Sequence, residues 1–127
     1  RLATIRDNDY QVGVFAYTET GKVVLVTSRK GESWILPKGN RAKKRSDRIQ
    51  AKREAFEEAG IIGSIVDRKI KAKVKGPKMN FYPMEVKSEL SVWPESNWRE
   101  RKWVSSSEVG QYLHRSSLRS LLLGFSG

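Results

Sequence analysis

Three glutamates, Glu54, Glu57 and Glu58, occupy positions i, i+3 and i+4 of a segment with helical character, which puts their carboxylates on one face. Left to themselves they repel, and a like-charged i, i+4 pair costs roughly 0.2–0.5 kcal/mol of helix stability. They also crowd the C-terminal end of the segment, where the helix dipole disfavours negative charge. A hard divalent cation reverses both effects, and Mg²⁺ takes a few carboxylates together with waters and phosphate oxygens. For three glutamates alone, a solvated acidic face is the better reading. The neighbourhood changes that balance. Just upstream lie Pro37, Lys38 and Gly39, then Arg41, Lys43, Lys44, Arg45 and Arg48. Carboxylates that hold a cation beside cations that hold phosphate are the two halves of a phosphoryl-transfer site.

The elements that must position these groups show as changes of hydrophobic period. Residues 12–17 and 23–27 are β-rich and apolar on both faces, as strands of a covered sheet are, with turn residues at 18–21 between them. A short apolar segment at 34–36 stops at Pro37 and leads into a glycine loop at Gly39. From Ser46 to Ala59 the pattern is helical, with Asp47 and Gln50 resembling a capping box and Gly60 placed as the left-handed residue that ends the helix. Ile49, Ala55, Phe56 and Ala59 form its expected apolar side, and the glutamates face away from them. Residues 69–75 alternate lysine with apolar residues, a half-buried strand whose lysine face is solvated. Residues 81–86 form a strand in which Pro83 implies an edge or a bulge. A short strand at 101–104 and helical pieces at 107–113 and 118–123 complete a mixed α and β order.

The 127 residues point to one domain over 1–127, with 38% apolar residues to build its core. No cysteine is present, which excludes a disulfide scaffold and a thiolate metal site. No apolar run reaches membrane-spanning length, and residues 1–10 lack the apolar core of a signal peptide, so the expected compartment is the cytoplasm. Lys and Arg number 25 against 14 Asp and Glu, a formal charge of +11. A field of that sign draws in polyanions.

The stretch from 34 to 61 resembles the Nudix box, G-x5-E-x7-R-E-U-x-E-E-x-G-U with U aliphatic. Gly39 matches the first glycine, Arg53 and Glu54 the R-E pair, Ala55 the first U, Glu57 and Glu58 the E-E pair, and Gly60 and Ile61 the end. The box therefore spans 39–61. One position departs: the glutamate expected six residues after Gly39 is Arg45. The resemblance implies an α/β/α sandwich around a mixed β-sheet. It implies Mg²⁺, with Mn²⁺ as a substitute, on Glu54 and Glu58, with Glu57 as a further ligand or as the base that activates water. Arg53 would hold the helix carboxylates by ion pairing. With Arg45 in place, three alternatives stand: Asp47 compensates at Arg53, Arg45 points out to substrate, or the site is weak.

Beyond the box, Ser28-Arg29, residues 99–104 and residues 111–115 resemble the diphosphoinositol polyphosphate phosphohydrolase branch, which also cleaves dinucleoside polyphosphates. That resemblance implies substrate contacts from Arg29, Arg99 and Arg115, with Ser28 and Lys38 nearby and Gly39 in the loop. Arginine suits the task, because its forked donors match phosphate oxygens. Trp103 is read as core, His114 as surface, and Trp93 and Trp98 as packing or ligand-facing. The resemblance also offers a base outside the box, with Glu85, Glu89, Glu95 and Glu100 as candidates. The expected function is a Mg²⁺-dependent pyrophosphohydrolase for a small polyanionic phosphate substrate. The alternative, motivated by Arg45 and the charge, is an inactive Nudix scaffold that binds RNA or another polyanion, with nucleic acid the less favoured partner.

Overall fold

Alternation along the first two strands sets the layers. In β1 (Tyr10–Tyr17) Val14 and Ala16 point to one face of the sheet and Phe15 to the other. In β2 (Lys22–Thr27) Val24 and Val26 share the first face, Val23 and Leu25 the second. All are buried, so both faces must be covered. The structure, a computed structural model, describes residues 10–66, 70–73 and 78–113. One face is covered by α1 (Asp47–Ala59), whose Ala51, Ala55 and Ala59 pack with Val14, Val24, Val26, Tyr82 and Met84. On the other, Phe15, Leu25, Leu36 and Phe81 gather with Val109 and Leu113, at the short helix α2 (Val109–Tyr112).

The sheet also contains β3 (Trp34–Ile35), β4 (Lys38–Asn40), β5 (Ile61–Ile65), β6 (Ile70–Lys73), β7 (Lys78–Glu89) and β8 (Arg101–Ser105). Its order is β3-β2-β1-β7-β5, with β4 on β1, β6 on β7 and β8 on β2. β1 and β7 run parallel, from Tyr10 opposite Lys78 to Tyr17 opposite Glu85. The other pairings are antiparallel, so the sheet is mixed and the class is α/β.

Four local expectations are corrected. The buried side of α1 is Gln50, Ala51, Ala55, Glu58 and Ala59, while Ile49 and Phe56 are 58% and 39% exposed. Small side chains let the helix lie close on β1; a phenylalanine there would hold it off. The capping residue is Ser46, whose Oγ accepts from Ile49 N at 3.2 Å, and Asp47 instead accepts from Tyr10 Oη at 2.6 Å. The glycine loop is strand β4, in register with β1. Pro83 lies within a paired strand, not at an edge, in the seam between its two neighbours on one side. β5 pairs with the 84–89 part of β7 and β6 with the 78–81 part. The Pro83 carbonyl accepts from Val66 N at 2.9 Å, so its missing N–H faces the gap, where no ladder bond is lost.

Gly60 ends α1 as expected, at φ 67°. Strand β5 was not anticipated; its ladder carries a register shift between Ile62 and Gly63. His114, Arg115 and the helix expected over 118–123 lie outside the described residues, as do Lys69 and Lys75.

Candidate active site

The register of β4 against β1 sets Gly39 opposite Val12 and brings residues 38 and 39 beneath α1. Lys38 N donates to Glu58 Oε1 at 3.0 Å. Gly39 lies against Glu54 so closely that a Cβ there would overlap the carboxylate. Two box carboxylates are thus seated on the backbone of the box's own first strand.

The C-terminal end of α1 recruits a second set of groups. Helix-end carbonyls need donors from outside the helix. Glu57 O accepts from Glu95 N at 3.1 Å, Glu58 O from Trp93 Nε1 at 2.9 Å, and Ala59 O from Arg101 Nη1 at 2.8 Å. These bonds dock residues 93–95 on the helix end. A following turn, with Arg99 N bonded to Glu95 O, carries Arg99 to Glu58. Arg99 is buried; its Nε donates to Glu95 Oε1 at 2.8 Å, its Nη1 to Thr27 O, and its Nη2 lies 3.7 Å from Glu58 Oε2.

A cavity of about 670 Å³ opens between these pieces, lined by Glu54, Glu58 and Glu95 together with Ser28, Arg29, Lys38, Gly39 and Arg99. Burial is the main reason the Glu58 carboxyl is raised from 4.5 to about 7; Arg99 and Lys38 N–H oppose it, and Glu54 and Glu95 add to it. Glu54 is raised too, first by burial and then by Glu57 and Glu95, against hydrogen bonds from Gln50 and Glu58. Two interacting carboxyls, both pushed upward, hold a proton near neutrality unless a cation replaces it.

Of the residues expected from the sequence, Glu54, Glu58, Ser28, Arg29, Lys38, Gly39 and Arg99 share this cavity. Glu57 does not line it; its carboxylate pairs with exposed Arg53 at 3.2 Å. Arg29 is exposed with its guanidinium 5.7 Å from the Trp98 ring, and Lys38 Nζ donates to Gln11 Oε1 at 3.0 Å. The donors of Arg99 turn to protein partners. Glu95 stood in the sequence only as one of four candidate bases outside the box, though its i, i+4 spacing to Arg99 was a signal that singled it out, and one group was missed. Gln50, buried on α1, donates to Glu54 Oε2 at 2.6 Å, and its own i, i+4 spacing went unused.

Among the described residues, no three His, Cys, Asp or Glu side chains are drawn together closely enough to hold a metal ion. The pair Glu54 and Glu58 still fits a hard divalent cation. Both offer oxygen donors, both are held ionised with difficulty, and Mg²⁺ takes one or two protein carboxylates and fills its remaining positions with water and phosphate.

A family model for the NUDIX domain matches residues 7–123. The chain belongs to the Nudix family. Curated relatives include Nudix hydrolase 21, chloroplastic, of Arabidopsis thaliana, 33% identical over 111 residues that cover 82% of this chain and 56% of that one. Nudix hydrolase 18, mitochondrial, of the same plant is 36% identical, covering 69% of this chain and 53% of that protein. The Nudix chain here thus spans about half the length of these relatives. Their names carry organelles, where the sequence led to an expectation of cytoplasm. A solved C. elegans Ap4A hydrolase binary complex superimposes with TM-score 0.76 over 91% of this chain and 95% of that chain, at 20% identity, and shows that the fold is the Nudix fold. Among the described residues, no helix is long and apolar enough to cross a membrane.

Proposed function

We propose that this domain is a Mg²⁺-dependent hydrolase that cleaves a phosphoanhydride linkage in a small polyanionic substrate, of the dinucleoside polyphosphate or diphosphoinositol polyphosphate type. One observation carries the reading: buried Glu58 and half-buried Glu54, both raised, sit together in a cavity whose other contributors include Arg29 and Lys38. The Ap4A hydrolase of similar fold supports the class of linkage.

Glu54 and Glu58 would hold the cation. When bound, it polarises a phosphoryl oxygen and offsets the charge of the transition state. The chain's own groups do the rest. Arg29 and Lys38 seat the phosphates on the open side. Water attacks phosphorus, the P–O bond of the anhydride breaks, and the bridging oxygen leaves with the departing phosphate. The water's proton goes to a carboxylate that faces the cavity. Glu95 meets that condition and Glu57 does not, so Glu95 is our choice of base. Arg99, held by Glu95, Thr27 and Glu58, keeps the acidic groups together without neutralising them fully.

A substrate panel assayed with Mg²⁺ and Mn²⁺ tests the reading. Expected is turnover of an anhydride substrate that falls at least about a hundredfold in Glu58→Gln and Glu95→Gln, and less in Glu57→Gln. Salt-sensitive polyanion binding with no turnover of any of them would support the inactive scaffold instead.

A further inference from the structure

At the box position where the family pattern has glutamate, this chain has Arg45, and the structure gives that arginine a definite partner. Its Nη1 donates to Gln50 Oε1 at 2.7 Å. Gln50 Nε2 in turn donates to Glu54 Oε2 at 2.6 Å. Gln50 is 6% exposed, so its amide has little recourse to water. A carboxamide has an accepting end and a donating end, and a half-turn about its last bond exchanges them. Guanidinium has donors and no acceptor, so it satisfies the oxygen end alone. The nitrogen end is then committed to Glu54.

We propose that Arg45 and Gln50 form a positioning relay, in which the arginine fixes the sense of the Gln50 amide so that it holds the Glu54 carboxylate in one orientation for a divalent cation. The inference rests on the function proposed above and extends it to residues outside the cation-holding carboxylates. It gives Arg45 a role that neither points it out to substrate nor weakens the site.

The relay makes a counterintuitive demand: restoring the family's glutamate must harm the site. A carboxylate at position 45 accepts and cannot donate, so Arg45→Glu draws the Gln50 NH₂ towards itself and turns the amide oxygen onto Glu54, acceptor against acceptor. Arg45→Lys keeps a donor-only group. Gln50→Leu removes the middle of the relay at similar volume and serves as an independent variant.

The test is calorimetric titration of the substrate-free proteins with Mn²⁺, followed by kcat and KM at saturating Mg²⁺. Expected are Mn²⁺ affinities weakened about tenfold or more in Arg45→Glu and Gln50→Leu and within about threefold of the unmodified chain in Arg45→Lys, as for partners that orient a metal's ligands. The loss in turnover should follow kcat more than KM. Unchanged Mn²⁺ affinity in Arg45→Glu and Gln50→Leu overturns the relay while leaving the proposed function in place. An unmodified chain that binds no Mn²⁺ overturns that function and the relay with it.

Discussion

Burial lifts the Glu58 carboxyl to about 7, against the pull of Arg99 and the Lys38 N–H, so the metal-free fold keeps a proton there that the unfolded chain has released. A carboxyl with a raised folded value contributes stability that is complete below 4.5 and is lost as pH rises through about 7. The shift corresponds to roughly 3 kcal/mol at most. Urea unfolding in chelator should therefore give lower stability at pH 8 than at pH 5, and Glu58→Gln should flatten that slope. An equally steep slope in Glu58→Gln would remove Glu58 as its source. The two arginines beside the acids should behave very differently in the same measurement. Arg53 pairs with Glu57 in solvent, so Arg53→Ala costs less than about 1 kcal/mol. Arg99 is buried, donates to Glu95 and to Thr27 O, and ion-pairs with Glu58 at 3.7 Å, so Arg99→Ala takes the counter-charge from two acidic groups and a donor from Thr27 O and costs about 3–5 kcal/mol.

Two glycines separate function from folding at the level of elements. Gly39 on β4 has ordinary backbone angles, and what forbids a side chain there is the Glu54 carboxylate. Gly39→Ala should displace Glu54, lowering kcat by about tenfold or more while the urea midpoint moves little. Gly60, at φ 67°, closes α1, and a Cβ added to it would come within 3.0 Å of the Trp93 side chain. Gly60→Ala should cost about 1–2 kcal/mol or more, read as a shifted unfolding midpoint, because the helix end and the 93–95 docking are strained together. If the two variants lose activity and stability in the same proportion, this division of roles is wrong. Both glycines were legible in the sequence through their fixed spacing, as were Glu54 and Glu58. Gln50 apart, what escaped was decided by contacts distant in the chain. The i, i+4 rule found the acids, but Ile49 and Phe56 looked apolar enough to be inward until the sheet's need for small residues chose the alanines. Glu95 acquires its place only when the helix-end carbonyls capture its loop. Pro83 read as an edge or a bulge because local sequence cannot show that two strands share one side of β7.

Over the whole molecule, 25 basic residues against 14 acidic give a charge of +11, while the cavity concentrates Glu54, Glu58 and Glu95. On the proposed function, a polyanion attracted to the surface would meet a local negative cluster at its destination, and a divalent cation would bridge the two. The long-range part of that attraction is screened over about 10 Å at 0.1 M salt, whereas contacts inside the cavity are screened much less. Salt should thus act on capture and spare chemistry. Raising ionic strength from about 0.05 to 0.3 M is expected to increase KM for a highly charged anhydride by roughly tenfold with kcat within about twofold, as electrostatic steering weakens. Arg29 is the exposed cation on the cavity wall, so Arg29→Gln should raise KM at low salt and make its salt dependence shallower. A lightly charged substrate, such as a nucleoside diphosphate linked to a neutral group, should show a weaker salt effect in the unmodified enzyme. A salt-insensitive KM for the polyanion, or a salt effect confined to kcat, would mean that the basic surface serves some purpose other than bringing substrate to the glutamates.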